Sequence, residues 1–241
     1  MKPLNKHCWA TPKCGTNLVR NVWKDVTVDK DYTFLLARNP YNRLASFYAE
    51  KIIILCIDQL SQDKYKVDPK NHSERNRVCC TQASDFFRLT KNVKDMTFKD
   101  MCLMMTKEHV DRGDLHIRKQ TDFVKSTWEQ SWWEVGTLPP KDYFDDILFM
   151  EDLPECFDIP AKKMGVNVDT SKENLRKLGG ENRTPRSDEL NSLEEPWNIP
   201  ASQWWDYGAM PSDYSVLYDD ELRDIVYNLY IDDFEYFGLS K

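Results

Sequence analysis

Hydrophobic positions fall into two alternating patterns along the first fifty residues. KHCWAT (6–11) is short and apolar enough for a buried strand, and PKCGT (12–16) has the composition of a turn. From Asn17 to about Lys24 the apolar residues Leu18, Val19, Val22 and Trp23 share one helical face, with Thr16 suited to the N-cap. YTFLLAR (32–38) is continuously apolar, as in a parallel strand covered on both faces. NPYNRLASFYAEKIII (39–54) follows as a helix: Pro40 fits its first position, and Leu44, Tyr48 and Ile52 continue a stripe. DDILFMEDL (145–153) predicts a third buried strand. Strand, helix, strand, helix in this order imply an α/β domain with a central parallel sheet and helices on both faces.

Two stretches break the pattern. Residues 58–78 are strongly polar, and residues 166–215 carry Gly179-Gly180 and Pro185, Pro196, Pro200 and Pro211 with little periodicity. Long irregular stretches in compact domains are often lids or binding loops. Segments at about 58–85 and 166–215 are therefore expected to be lids or binding segments. The C-terminal DDELRDIVYNLYIDDFEYFG (219–238) predicts one amphipathic helix, led by acids and closed by Gly238.

Composition narrows the class. With 41% hydrophobic residues and eight Trp in 241 positions, the chain has enough apolar mass for a substantial core. The apolar run KIIILCI (51–57) is too short to span a membrane, and the N-terminus lacks a signal-like apolar segment, so a cytoplasmic location is expected. Seven cysteines, with no CxxC pair, point to buried reduced thiols instead of a disulfide framework or a zinc site.

Charge is distributed unevenly. Residues 1–51 hold nine Lys/Arg against four acids, a net +5, which leaves −12 for the rest of a chain of net charge −7. An acidic protein with one basic end suits a small anionic ligand there, and argues against nucleic acid as a partner.

The basic end contains the sharpest candidate chemistry. A strand, a tight turn and a helix start make an anion site, because the first helical N–H groups lack internal partners. Gly15 would let the backbone approach a phosphate, and Lys13 would add a mobile cation. Lysine precedes the only glycine, so the turn is not a Walker A loop of GxxxxGK[ST] type, and no Rossmann fingerprint is present. Arg38 ends the second strand and Ser46 lies eight residues on, able to grip one phosphate from two sides.

Together these segments resemble sulfotransferases that use 3′-phosphoadenosine 5′-phosphosulfate (PAPS). PKCGTNL (12–18) resembles that family's 5′-phosphosulfate loop, and RNPYNRLASFYAEK (38–51) its 3′-phosphate segment. DLHIRKQTDF (114–123), DDILFMEDL and the closing Tyr-x-x-Asp-Phe-x-x-Phe-Gly pattern are similar to the carbohydrate-type branch, as more faintly is GGENRTPR (179–186). The resemblance implies one sulfotransferase domain over 1–241 with a P-loop-like three-layer fold. It implies that Lys13, Cys14, Gly15, Thr16, Asn17 and Leu18 wrap the 5′ end of PAPS, and that Arg38 and Ser46 hold its 3′-phosphate. PAPS would be the donor and the 3′,5′-bisphosphate (PAP) the product. No metal would be needed, and Lys13 would stabilise the departing bridging oxygen.

His116 is the first candidate for general base, with Asp25 and Glu50 as alternatives. Many family members place the base between the two nucleotide segments. Here that interval, VRNVWKDVTVDKDYTFLLA, contains neither His nor Glu. Arg43 would either support phosphate or form an ion pair on its helix face. Arg183 and Arg186 would close over the nucleotide or simply belong to a charged loop. Trp132-Trp133 and Trp204-Trp205 would be sugar platforms or core packing. The acceptor is expected to be a carbohydrate or small metabolite, with no membrane partner. The rival readings are a kinase-like nucleotide enzyme with a degenerate phosphate loop and a non-catalytic nucleotide-binding protein of the same fold.

Overall fold

The computed structural model describes residues 2–3, 8–10, 14–23, 26–28, 32–53, 93–113, 116–122, 138–178 and 185–241. The strands are β1 (Lys2–Pro3), β2 (Cys8–Ala10), β3 (Thr27–Val28), β4 (Phe34–Ala37), β5 (Asp146–Phe149), β6 (Arg186–Ser187) and β7 (Met210–Pro211). The helices are α1 (Thr16–Trp23), α2 (Pro40–Phe47), α3 (Phe98–Met104), α4 (Lys107–Arg112), α5 (Asp158–Met164), α6 (Lys172–Leu178), α7 (Ala201–Tyr207), α8 (Asp220–Leu229) and α9 (Ile231–Phe237). The chain forms two compact units. One contains Met1–Pro40, Arg118–Arg183 and Ile231–Ser240, and the other Tyr41–Ile117, Thr184–Tyr230 and Lys241.

The first unit is mixed α/β. Its centre is a parallel sheet of order β2-β4-β5, in register Ala10↔Leu36 and Leu36↔Leu148. β4 lies between two parallel neighbours, and all four of its residues are buried, as its unbroken apolar run requires. Successive β4 side chains serve different cores. Phe34 and Leu36 pack with Leu18, Val22 and Trp23 of α1, Met164 of α5 and Leu175 of α6. Leu35 and Ala37 pack with Trp9, Phe144 and Phe237 of α9. Trp23 meets Phe34 and Phe157 edge-on, each at a centroid distance of 5.7 Å.

The described part of the second unit is largely helical. α2 begins at Pro40, as predicted, and runs into a π-helical turn at Tyr48–Ile52. Leu44, Tyr48 and Ile52 are all buried, so the predicted stripe is the core face. The Tyr48 hydroxyl donates to the Met96 carbonyl at 2.9 Å, and Phe98 packs edge-on against Tyr48 and Tyr218. A capping box opens α3: the Asp100 N–H donates to Thr97 Oγ1 at 3.0 Å, and the Thr97 N–H donates to the Asp100 carboxylate at 3.1 Å.

Two sequence expectations need revision. The 219–238 segment is two helices, parted at Tyr230, which has left the helical conformation (φ −112°, ψ 24°) and donates its hydroxyl to the Ile117 carbonyl. Gly238, with φ +66°, does close the second. The described parts of 166–215 contain α6, β6, α7 and β7: Pro185 and Pro200 stand just before β6 and α7, and Pro211 ends β7. The polar 58–85 segment lies outside the described residues. Among the described residues no helix is long and apolar enough to cross a membrane.

Candidate functional site

The turn that follows β2 leads directly into α1. Cys14 is buried, and Gly15 adopts φ +69°. The Val19 N–H donates to the Gly15 carbonyl at 2.9 Å, so Gly15, not the predicted Thr16, occupies the helix-opening position and Thr16 is the first helical residue. A β-carbon at Gly15 would lie 2.5 Å from the Met150 sulfur and 3.4 Å from Leu36 Cδ2. Glycine is thus demanded here by backbone conformation and by the thioether filling the space. The first turn of α1 has no acidic side chain to oppose an anion. Leu18 is turned into the apolar core, so its N–H is what it can offer a ligand. Thr16 and Asn17 belong to the first turn of α1. Lys13 lies outside the described residues.

Arg38 follows the last residue of β4, on the strand adjacent and parallel to β2. The turn and Arg38 therefore issue from the same, C-terminal edge of neighbouring strands. Arg38 Nε lies 3.6 Å from Glu151 Oε1, and the Asn39 N–H donates to Glu151 Oε2 at 3.3 Å. Glu151 comes from the Glu-Asp-Leu tail that follows β5. At 3.6 Å this ion pair is long, and a phosphate dianion would be a stronger partner for the guanidinium than the Glu151 carboxylate.

One buried side chain connects the two strand ends. The Gln120 Oε1 accepts from Cys14 Sγ at 3.0 Å and from the Arg38 N–H at 3.0 Å, while Nε2 donates to the Arg38 carbonyl at 2.7 Å. Gln120 is held in turn by Asp233 of α9, which is fully buried. Asp233 accepts the Gln120 N–H at 2.8 Å and the Thr121 N–H at 3.0 Å, with the Thr121 hydroxyl at 3.1 Å. Beside them, Lys119 pairs with Asp232 at 2.6 Å. Gln120 and Asp233 stand inside two of the quoted motifs, yet spacing gave them no role: both act on partners about a hundred residues away.

Cys14 is a buried thiol, as expected, and donates to Gln120. The other described cysteines behave as inert thiols: burial pushes Cys8 and Cys102 up, and Cys156 up to about 12. Cys56, Cys79 and Cys80 lie outside the described residues.

The remaining candidates belong to the second unit or are not described. Ser46 is buried on α2, and His116 is half-buried in a turn. Glu50 lies in the π-helical turn, and Asp25 is outside the described residues. Arg43 is only 1% exposed, so it lies on the buried side of α2. His109 caps α4: its Nδ1 accepts the Thr106 N–H at 3.0 Å. Arg186 is engaged locally, stacked 3.4 Å over the Tyr214 ring and donating to the Pro211 carbonyl at 2.9 Å. Trp204 is core, whereas Trp205 is 42% exposed, so the pair is not one platform. His7, His72, Trp132, Trp133 and Arg183 lie outside the described residues.

No protein-family model, curated protein or solved structure matches the chain.

Proposed function

We propose that the chain is a PAPS-dependent sulfotransferase with a P-loop-like core, moving a sulfuryl group to a hydroxyl or amine of a carbohydrate or small metabolite. The observation that supports it most is the pair of strand ends in the first unit. A glycine turn opening α1 follows β2, and an arginine follows the adjacent parallel strand β4. Ligands of open α/β sheets sit at this edge. Helical N–H groups and a guanidinium, side by side, match a ligand carrying anionic groups at two points.

In this chemistry the acceptor oxygen or nitrogen attacks sulfur. The bond from sulfur to the bridging phosphate oxygen breaks, PAP departs, and the acceptor proton passes to a base. Lys13 stabilises the charge that grows on the bridging oxygen. The leaving group is already good, so positioning and fixed charge supply most of the acceleration. His116 as the base and Ser46 as a 3′-phosphate ligand are carried by the resemblance alone.

Transfer is read directly by incubating the intact chain with donor labelled in its sulfuryl group, a panel of sugars and small hydroxylated or amino compounds, and EDTA. Label moves to an acceptor, and Lys13→Ala slows the movement by about 10²–10³-fold, as loss of one donor to a developing oxyanion does. Magnesium-dependent phosphoryl transfer from a nucleoside triphosphate would replace the proposal with a kinase-like one. Nucleotide binding without label movement on any acceptor would leave a binding protein.

A further inference from the structure

We propose that Gln120 is a positioning residue of the donor site, fixed by Asp233, and that it sets Arg38 in place relative to the Cys14–Gly15 turn. The inference rests on the donor site proposed above.

Strand pairing stops just short of the ligand-bearing residues. Among the described residues β2 and β4 are last paired at Ala10↔Leu36, and β4 and β5 at Ala37↔Phe149. One residue later, the N–H and the carbonyl of Arg38 are both bonded by the Gln120 side-chain amide, at 3.0 and 2.7 Å. That amide does for Arg38 what another strand residue would do, and it holds the main chain from which the guanidinium projects. Its oxygen also accepts from Cys14 Sγ at 3.0 Å, so one atom bonds to both the turn after β2 and the end of β4.

Glutamine is chemically specific for this place. The site needs an acceptor facing Cys14 and the Arg38 N–H, and a donor facing the Arg38 carbonyl. Glutamate in its ionised form lacks the donor and sets a negative charge against a carbonyl. Leucine offers neither group, and asparagine is a methylene too short. Gln120 and Cys14 are fully buried and Arg38 is half-buried, so solvent replaces a missing bond poorly here. Asp233 holds the Gln120 and Thr121 N–H groups with separate carboxylate oxygens, which fixes the residue from which the amide reaches out. An anion ligand pre-placed in this way avoids an ordering cost when the phosphate binds, and a displacement of about 1 Å would be felt strongly.

The test measures affinity for adenosine 3′,5′-bisphosphate and for 5′-AMP on the intact chain, with unfolding temperatures, for wild type, Gln120→Leu, Gln120→Glu, Asp233→Asn and Leu175→Ala. Leu175 is buried in the apolar core away from these bonds, so Leu175→Ala lowers stability without touching them. Gln120→Leu and Asp233→Asn lose about tenfold or more of the preference for the bisphosphate, while Leu175→Ala keeps it. Gln120→Glu, measured against wild type at each pH, regains preference as pH falls, because a protonated carboxyl again offers a donor and an acceptor. A folded Gln120→Leu chain with wild-type preference would overturn the inference, as would a Gln120→Glu preference that does not change with pH relative to wild type. So would an equal loss in Leu175→Ala. Failure of the donor site itself appears earlier, as absence of any preference in wild type.

Discussion

Gly15 is held to glycine by its surroundings in the folded chain. Its φ of +69° is costly for a residue with a β-carbon, and that carbon would approach the Met150 sulfur to 2.5 Å. We expect Gly15→Ala to destabilise the chain by about 1–3 kcal/mol in urea unfolding, from left-handed strain plus overpacking. Met150→Ala added to it should return the overpacking part and leave the strain. Equal stability of Gly15→Ala and wild type would contradict this account of the turn. Gln120 and Asp233 teach a related lesson about residues. Both were legible as members of motifs and neither as a bonding partner. Gln120 reaches Arg38 and Cys14 from 82 and 106 positions away, and Asp233 reaches Gln120 from 113, distances over which spacing carries no information.

At the scale of elements, α4 has a pH-sensitive cap. The Thr106 N–H needs a neutral acceptor at His109 Nδ1. Burial holds the His109 imidazole below its ordinary 6.5, with Glu108 opposing. A lowered folded value means that the stability contributed is complete above about pH 6.5 and is lost as pH falls through the folded value. His109→Gln keeps a capping-box acceptor that does not titrate. Between pH 7 and 5 the wild-type chain should therefore lose more stability than His109→Gln, by up to about 1 kcal/mol, the usual worth of a cap. An identical decline in both would remove His109 from the cap's pH dependence.

The elements themselves were largely readable. β2, β4, β5, α1 and the start of α2 appear where apolar runs, Pro40 and helical spacing put them, because burial on one face or two imposes those periods directly. The break between α8 and α9 was not. Apolar spacing runs through Tyr230 without interruption, while the interruption is made by tertiary bonds of Tyr230 to Ile117 and of Asp233 to Gln120. The short elements within 185–215 were hidden for another reason. They are pieces of two to seven residues, too short for a period to register.

For the whole molecule, the unequal charge distribution and the parallel sheet point the same way. A net +5 over residues 1–51, in a chain of net −7, gathers cations in the segment that contributes β2, β4 and the α1 turn. What distinguishes the proposed donor from an ordinary adenylate is its 3′-phosphate, and Arg38 is the residue assigned to it. Calorimetric titration of the intact chain with adenosine 3′,5′-bisphosphate and 5′-AMP, repeated on Arg38→Ala, tests that assignment most directly. The bisphosphate should bind wild type more tightly, and Arg38→Ala should erase at least about thirtyfold of the difference, from the ~2–5 kcal/mol lost when one partner of a hydrogen-bonded charge pair is removed. Equal binding of the two nucleotides to wild type, or a preference that survives in Arg38→Ala, would contradict it.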